Sequence, residues 1–356
     1  MRRLTHVRMI ISAIVVVSLV GLVASAATGY LAFEPEDGPL STSQLAISDP
    51  SASGGGAIKF GDYTAEGQAM PTAATVGPRC ASTETIDGSQ ALTRLRANGR
   101  LSCVTVIGTF TLAGSDGINW IIEDVRFETQ GGLYGIRGYR GVGGVAVFEG
   151  TQAQRPLLRY VEILGGPATG HATCSAVIIG KDMIFEHANI TGCQDGIKAD
   201  DRLEVYNSWI HDLDKPEGAH SDGVQIVSGQ NIVFKGNRFD AYSTRSSDGT
   251  MPAGAWDYAS GLLQTGTVSG DISATWDNNW FAGGRYTIRG TDDTTYSVSY
   301  TFRNNRWLRL GFSEVLNLAD LPPHQYGPIY TLGASDFDCS NVWDDTEEPL
   351  VPCGQP

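Results

Sequence analysis

The chain has 356 residues, of which 44 are glycine, and only 18% of its residues are charged. This length suits two average domains or one elongated repeat domain. The glycine content, together with the lack of a long amphipathic helix, favours an all-β, turn-rich protein. The formal net charge of −14 repels nucleic acid. We therefore expect no nucleic-acid partner.

The N-terminus carries an export segment, residues 1–33. A basic stretch, "MRRLTHVR", precedes the apolar run "MIISAIVVVSLVGLVASA" and the small residues Ala24-Ser25-Ala26. This order is typical of a secretory signal peptide with its cleavage site. The apolar run is long for a signal and short for a membrane span, so cleaved signal and uncleaved anchor both stay open. Either way the rest of the chain is expected to be extracellular, with membrane contact only through this segment.

The six cysteines all follow the export segment. An even number of cysteines in an exported chain predicts three disulfides, and no CxxC or zinc-like spacing occurs. Fifteen pairings are possible in principle. Proximity in sequence favours three of them: Cys80–Cys103, Cys174–Cys193 and Cys339–Cys353.

Residues 34–78 are predicted to form a flexible linker, because "EPEDGPLSTSQLAISDPSASGGG" is rich in Pro, Gly, Ser and acidic residues without an apolar period. The best helix candidate, "GSQALTRLRANG" (88–99), follows it. Its Leu92 and Leu95 could cover the open end of a repeat array, which needs a cap.

One segment recurs with variations in residues 120–307. Each copy ends on a large apolar residue, has another five residues earlier, and carries a small or amide residue two positions before its end. The copies are "WIIEDVRF", "PLLRYVEI", "MIFEHANI", "LEVYNSWI", "IVFKGNRF", "ATWDNNWF" and "YTFRNNRW". Their end points lie 20 to 42 residues apart, which indicates a solenoid, since 20 residues cannot hold the four strands of a propeller blade. The aligned Asn237, Asn279 and Asn305 could stack as a ladder.

A second strand is predicted in each coil, at "SAVII" (175–179), "DGIK" (195–198), "DGVQ" (222–225), "GLLQ" (261–264) and "YTIR" (286–289). The variable length lies between the first strand and this one. The insertions 165–174, 212–220 and 241–258 therefore gather along one edge, as they do where a solenoid has a binding groove.

These features resemble a known group. The stretches "CQDGIKADDRLEVYNSWIHDL", "GAHSDGVQIVSGQNIVFKGNRFD" and "YGPI…SNVWDDTEEPL" resemble secreted actinobacterial right-handed parallel β-helix proteins of the pectate-lyase-like superfamily. The resemblance covers roughly residues 70–356. It implies an extracellular protein directed at carbohydrate, and by analogy a polysaccharide lyase.

The second strands place a polar column on one face. Lys198, Gln225, Gln264 and Arg289 each follow an inward aliphatic residue, so all four should point outward, with rungs ~4.8 Å apart. Asp195 and Asp222 occupy equivalent positions and would lie roughly 5 Å apart in adjacent coils. Two carboxylates so close either share a proton or hold a cation such as Ca²⁺ between them. An Asp-Gly corner that only bonds its own backbone is the alternative.

These residues form the predicted site. Lys198 or Arg289 would act as the base, with His220 as a helper, and Asp195 and Asp222 would hold a possible Ca²⁺. The candidates for binding the sugar chain are Gln225, Gln264, Arg285, Trp256 and Tyr258. His211 and Asp212 border the insertion before His220 and could also place an imidazole over the column.

We therefore expect residues 79–356 to form one all-β domain, a right-handed parallel β-helix with an N-terminal cap. The expected function is cleavage of an acidic polysaccharide by β-elimination, by a protein that we expect to be a monomer. Two alternatives remain. One is a glycoside hydrolase on the same fold, because a carboxylate pair about 5 Å apart suits a retaining mechanism. The other is a non-catalytic, surface-displayed module that binds glycan or only forms structure.

Overall fold

The computed structural model describes residues 44–48, 56–60, 69–112, 116–129, 134–137, 155–165, 176–213, 221–241, 259–260, 269–283, 286–289, 295–308, 327–330, 336–344 and 346–350. It divides into two compact units, Met1–Glu66 and Gly67–Pro356. In the first unit, β1 (Gln44–Ser48) and β2 (Gly56–Phe60) pair antiparallel. No described helix is long and apolar enough to span a membrane.

The described residues of the second unit form β-strands and one helix, and each of its named sheets is parallel. The nine-stranded sheet contains β4 (Arg100–Ser102), β7 (Ile121–Glu123), β10 (Leu157–Arg159), β13 (Ile184–Glu186), β16 (Glu204–Tyr206), β20 (Gly229–Lys235), β23 (Ile272–Asp277), β26 (Val298–Arg303) and β29 (Asp336–Phe337). The ten-stranded sheet contains β3 (Thr85–Asp87), β5 (Thr105–Ile107), β8 (Arg126–Glu128), β11 (Glu162–Leu164), β14 (Asn189–Thr191), β17 (Trp209–His211), β21 (Arg238–Ala241), β24 (Trp280–Gly283), β27 (Arg306–Leu308) and β30 (Val342–Trp343).

The five-stranded sheet contains β6 (Phe110–Thr111), β9 (Tyr134–Arg137), β12 (Ala176–Gly180), β15 (Asp195–Ala199) and β19 (Val224–Ile226). Two further pairs are β18 (Ser221–Asp222) with β22 (Ala259–Ser260), and β25 (Tyr286–Arg289) with β28 (Gly327–Tyr330). In every sheet the strands follow one another in chain order, and the chain passes from sheet to sheet in turn. This is the solenoid-like arrangement that the repeats predicted.

The recurring segment builds the corner between the nine- and ten-stranded sheets. Both large apolar residues of every copy, from Ile122 and Phe127 to Phe302 and Trp307, are fully buried in the core. Between the two strands one residue takes a left-handed conformation, for example Asp124 with φ 56° or Asn304 with φ 55°. Asn, Asp and Gly tolerate this conformation best, which explains their frequency at the corner.

The predicted asparagine ladder is present and has a fourth member. The amide oxygen of Asn279 accepts hydrogen bonds from the backbone N–H and side-chain amide of Asn237, at 2.9 and 3.1 Å. Asn305 and Asn341 repeat the pattern in the next coils, and all four residues are fully buried. The amides thus satisfy buried backbone groups that the corner leaves unpaired.

The helix α1 (Gly88–Asn98) forms as predicted. Asp87 caps its first turn together with Gln90 in a capping box, and Gly99 ends it in a left-handed conformation at φ 67°. Ala91 and Leu95 are fully buried, and Leu92 packs against the core. The helix contacts β3, β4 and β6, the first strands of the three large sheets.

Part of the range predicted as a linker belongs to the fold. Residues 70–79, which we call the N-terminal strap, contact coils far apart in the stack. Met70 packs against the buried Trp280, and the carbonyl of Thr75 lies 3.1 Å from Nδ1 of His187. Arg79 forms a two-point ion pair with Asp124. Apart from Met70 and the buried Val76, the strap is held by backbone groups and Arg79. It therefore needs no apolar period, and its composition resembles that of a spacer.

Disulfide bonding agrees with the sequence where it can be compared. Cys80 and Cys103 are bonded, with their Cα atoms 5.9 Å apart. Cys193 and Cys339 are also disulfide-bonded. The partners predicted for them, Cys174 and Cys353, lie outside the described residues, as does the export segment.

Candidate functional site

The outer face of the five-stranded sheet carries the predicted polar column. Lys198 pairs in register with Gln225, and their neighbours Ile197 and Val224 are fully buried in the core. Both polar residues are half-buried, and the side chain of Lys198 keeps 19% of its exposure. Because side chains alternate across a strand, Lys198 and Gln225 present adjacent rungs of one outward column.

A buried carboxylate stands at the base of this column. Asp195 is 1% exposed. Its Oδ1 accepts a hydrogen bond of 3.1 Å from the backbone N–H of Asp222, one coil further on, and its Oδ2 lies 3.1 Å from Nζ of Lys198. Asp195 therefore ties two coils together and forms an ion pair with the lysine at the surface.

The glycine after Asp195 has a packing role. A Cβ at Gly196 would lie 2.6 Å from the carbonyl oxygen of Gly223 and 2.6 Å from a methyl group of Ile210. No side chain fits there, so the backbones of the two coils can approach closely only with glycine. The Asp-Gly pair therefore lies in the strand β15 and serves close packing rather than a turn.

A metal centre is not evident in the part of the chain that the structure describes. No group of three or more His, Cys, Asp or Glu side chains there is arranged to hold a metal ion. Both carboxylate oxygens of Asp195 already face donors, and Asp222 is buried as well at 2% exposure. Binding of Ca²⁺ by these two residues stays a prediction.

A second polar cluster lies on the ten-stranded sheet and includes His211, one of the predicted candidates. Nδ1 of His211 lies 2.7 Å from Oδ2 of Asp212, and Nε2 lies 2.7 Å from Oδ1 of Asn189. The indole of Trp209 stacks on the imidazole with 3.7 Å between ring centroids. The ring is thus fixed on three sides, with 12% of the side chain exposed.

Beneath this ring lies a buried ion pair that the sequence analysis missed. Oδ2 of Asp240 accepts a hydrogen bond of 2.8 Å from the indole N–H of Trp209 and lies 3.2 Å from Nε of Arg238. Burial raises the pKa of the Asp240 carboxyl to about 7, although the Arg238 guanidinium opposes this shift. The guanidinium lies over Trp209 and reaches the carbonyl of Pro71 in the strap.

These buried residues had a weak signal in the sequence. Arg238 and Asp240 flank the inward Phe239, so both had to point away from the core. The register places Arg238 beside Trp209 of the preceding coil. What the pattern could not show is that the strap covers this face, which makes the pair a buried structural feature rather than an exposed catalytic one.

For the remaining predicted residues, the described part of the chain shows no common site. Arg289 lies in β25, but its side chain is outside the described part. Five others lie outside the described residues altogether: His220, Trp256, Tyr258, Gln264 and Arg285. Trp276, an inward residue of the recurring segment, is fully buried in the core.

The fold and the outer face of the five-stranded sheet define a class of protein. It is a solenoid of stacked parallel sheets that carries a column of Lys198 and Gln225 above the buried carboxylate of Asp195. Comparison with known proteins adds no closer identity. No family model matches the chain, and no curated protein or solved structure is significantly similar to it.

Proposed function

We propose that the chain is a right-handed parallel β-helix protein of the extracellular space that acts on an acidic polysaccharide, with β-elimination as the leading reaction. The resemblance in the sequence, the export segment and the bonded cysteines support this proposal. The stacking of parallel strands in chain order supports the fold.

The observation that carries the proposal is the pairing of Lys198 with buried Asp195 on an outward column. A uronate chain lying across the strands would meet the ammonium of Lys198 on one rung and the amide of Gln225 on the next. The ion pair fixes the position of the ammonium, and a positioned cation binds a carboxylate at less entropic cost than a mobile one.

The chemistry requires a base at the carbon next to the uronate carboxyl. The base removes that proton, the bond to the leaving glycosidic oxygen breaks, and a carbon–carbon double bond forms. Lys198 or Arg289 would take this proton in its neutral, deprotonated form, with His220 as a helper; for Lys198 this means that the ammonium first gives up the proton that it holds beside Asp195. A Ca²⁺ held near Asp195 and Asp222 would neutralise the carboxylate. The double bond absorbs in the ultraviolet, whereas hydrolysis creates reducing ends without it.

A non-catalytic glycan-binding module is the second candidate. It is favoured by one observation: Oδ1 of Asp195 accepts a hydrogen bond from the protein's own backbone, and Oδ2 lies within ion-pair distance of Lys198. In that case the column binds sugar, and Asp195 only supports it.

The test is a screen of the full chain against polygalacturonate, alginate and neutral glycans, with and without a chelator. We expect new ultraviolet absorbance with a uronate polymer, and loss of at least about 100-fold in Lys198→Gln. Lys181→Gln is the matched control, because that lysine is 20% exposed and 3.9 Å from Asp201. Reducing ends without absorbance would mean a hydrolase, and retention without products would mean a binding module. Neither cleavage nor binding across the panel would overturn the proposal.

A further inference from the structure

A polar depression lies on the outer face of the nine-stranded sheet, on a different face from the column of Lys198. Its volume is about 500 Å³, and it extends over four consecutive strands, β16, β20, β23 and β26. Four strands at ~4.8 Å spacing give a length of about 14 Å across the sheet.

The depression exists because the strands change length at this point. β16 has three residues, whereas β20 has seven and β23 and β26 have six each. The longer strands form a broad floor, and the ends of Arg202 and Glu204 stand at its side. Glu204 is held there by Arg155 at 2.5 Å and by the Tyr206 hydroxyl at 2.9 Å.

The floor presents hydroxyl groups in register. Thr275 pairs with Thr301, and Ser273 with Ser299, so two short rows run across the strands. Ser273 accepts a hydrogen bond from the backbone N–H of Asn231. In the part of the chain that the structure describes, the hydroxyls of Thr275, Thr301 and Ser299 have no protein partner. They are available to a ligand.

The charges at the edge are already paired. Nε of Arg202 lies 2.6 Å from Oδ1 of Asp182, and Glu204 is bonded to Arg155. Among the described lining residues, then, no unpaired cation is offered to a phosphate or a uronate. A ligand that suits this lining is neutral, elongated and rich in hydroxyl groups.

We propose that this depression is a binding subsite for a neutral segment of a glycan chain, lying across the strands of the nine-stranded sheet. The subsite goes beyond the proposed cleavage reaction and uses another face of the coil. Arg202 follows Lys198 by four residues and lies within the turn that joins β15 to β16. A polysaccharide retained here would be kept close to the column of Lys198.

The test is native electrophoresis of the full chain in gels that contain soluble neutral polysaccharides, namely a glucan, a mannan and a galactan. The variant Thr275→Val/Thr301→Val removes two hydroxyls but keeps side-chain shape and strand preference. We expect retardation of the wild type by at least one polymer, and binding at least about fivefold weaker in the double variant. Thr85→Val is the matched control, since Thr85 is an exposed strand threonine.

Unfolding temperatures of all variants separate a binding defect from a folding defect. The inference is overturned if no neutral polymer retards the wild type, or if the double variant is retarded as strongly. It is also overturned if Lys198→Gln abolishes the retardation, because the binding then belongs to the five-stranded sheet. Retardation without any cleavage of uronate polymers would support the subsite and count against the proposed reaction.

Discussion

Two polar ladders run through this solenoid, and they differ in whether their polar side chains reach the surface. In the asparagine ladder, Asn237, Asn279 and Asn305 give their amide hydrogens to backbone carbonyls and to the next amide, and none is exposed. In the column of the five-stranded sheet, Asp195 is buried but engages Lys198, which is partly exposed. Register alone therefore does not mark a site, since a polar ladder can be entirely structural.

The largest effect is expected from breaking the asparagine ladder. Asn279→Ala removes the acceptor of the backbone and side-chain N–H groups of Asn237, and it removes the donor to the carbonyl of Phe234. The backbone N–H of residue 279 still donates to Asn305. We expect a loss of about 3 kcal/mol in the free energy of unfolding, measured by denaturant titration. Asn98→Ala, at the exposed end of α1, is the control and should change stability little. A loss in Asn279→Ala no larger than in the control would show that the ladder carries no stability.

The next effect separates structure from function at Asp195. Asp195→Ala removes the acceptor of the Asp222 N–H and the partner of Lys198, and we expect a loss of about 2 kcal/mol. Asp195→Asn keeps an acceptor for the N–H and should cost less than about 1 kcal/mol. If Asp195 positions Lys198 for binding, Asp195→Asn lowers binding of a uronate polymer while the unfolding temperature is kept. Unchanged binding in Asp195→Asn would make the residue purely structural.

A smaller, pH-dependent effect comes from Asp240, a buried carboxylate outside both ladders. Its folded-state pKa is raised from 3.8 to about 7, so the folded protein keeps a proton that the unfolded chain loses. The resulting stability is fully present below about pH 4 and is lost as the pH rises through about 7. We expect the unfolding temperature of the wild type, relative to Asp240→Asn, to fall between pH 5 and pH 8. A constant difference over that range would contradict the raised pKa.

The smallest effect on stability is expected at Gln225. Its side chain has no protein hydrogen bond in the described part of the chain, so Gln225→Ala should change the free energy of unfolding by less than about 0.5 kcal/mol. Gln225→Glu places a negative charge beside Lys198. It should weaken binding of uronate polymers more than Gln225→Ala does, with neutral glycans unaffected. Equal binding of a uronate polymer by both variants would place that ligand elsewhere.

The repeat pattern predicted the core and the corner because each inward position is set by strand alternation alone. The fourth ladder member, Asn341, escaped it because Phe337 and Trp343 are six residues apart, one more than in the other copies. The short strands β6 and β9 were also missed, since two to four residues hold too little pattern. The strap could not be predicted, because its contact between Pro71 and Arg238 joins residues 167 positions apart.

The candidate site was likewise predictable from the sequence only in part. The register of Lys198 with Gln225 follows from aligning two coils in sequence, and so does the proximity of Asp195 to Asp222. The ion pair of Lys198 depends on side-chain directions, which alignment does not give. The cluster of Trp209, Arg238 and Asp240 depends on a cover from a distant segment, so only its outward orientation was open to prediction.

The strap also determines how this fold would respond to tension. A simple solenoid couples only neighbouring coils. Here the contacts of the strap run in order along the stack, from Met70 on Trp280 to Arg79 on Asp124. In a chain held at its N-terminus, a pulling force would peel these contacts one after another, beginning at the late coils. Peeling would stop at the covalent bond between Cys80 and Cys103, which passes the load to the first coil.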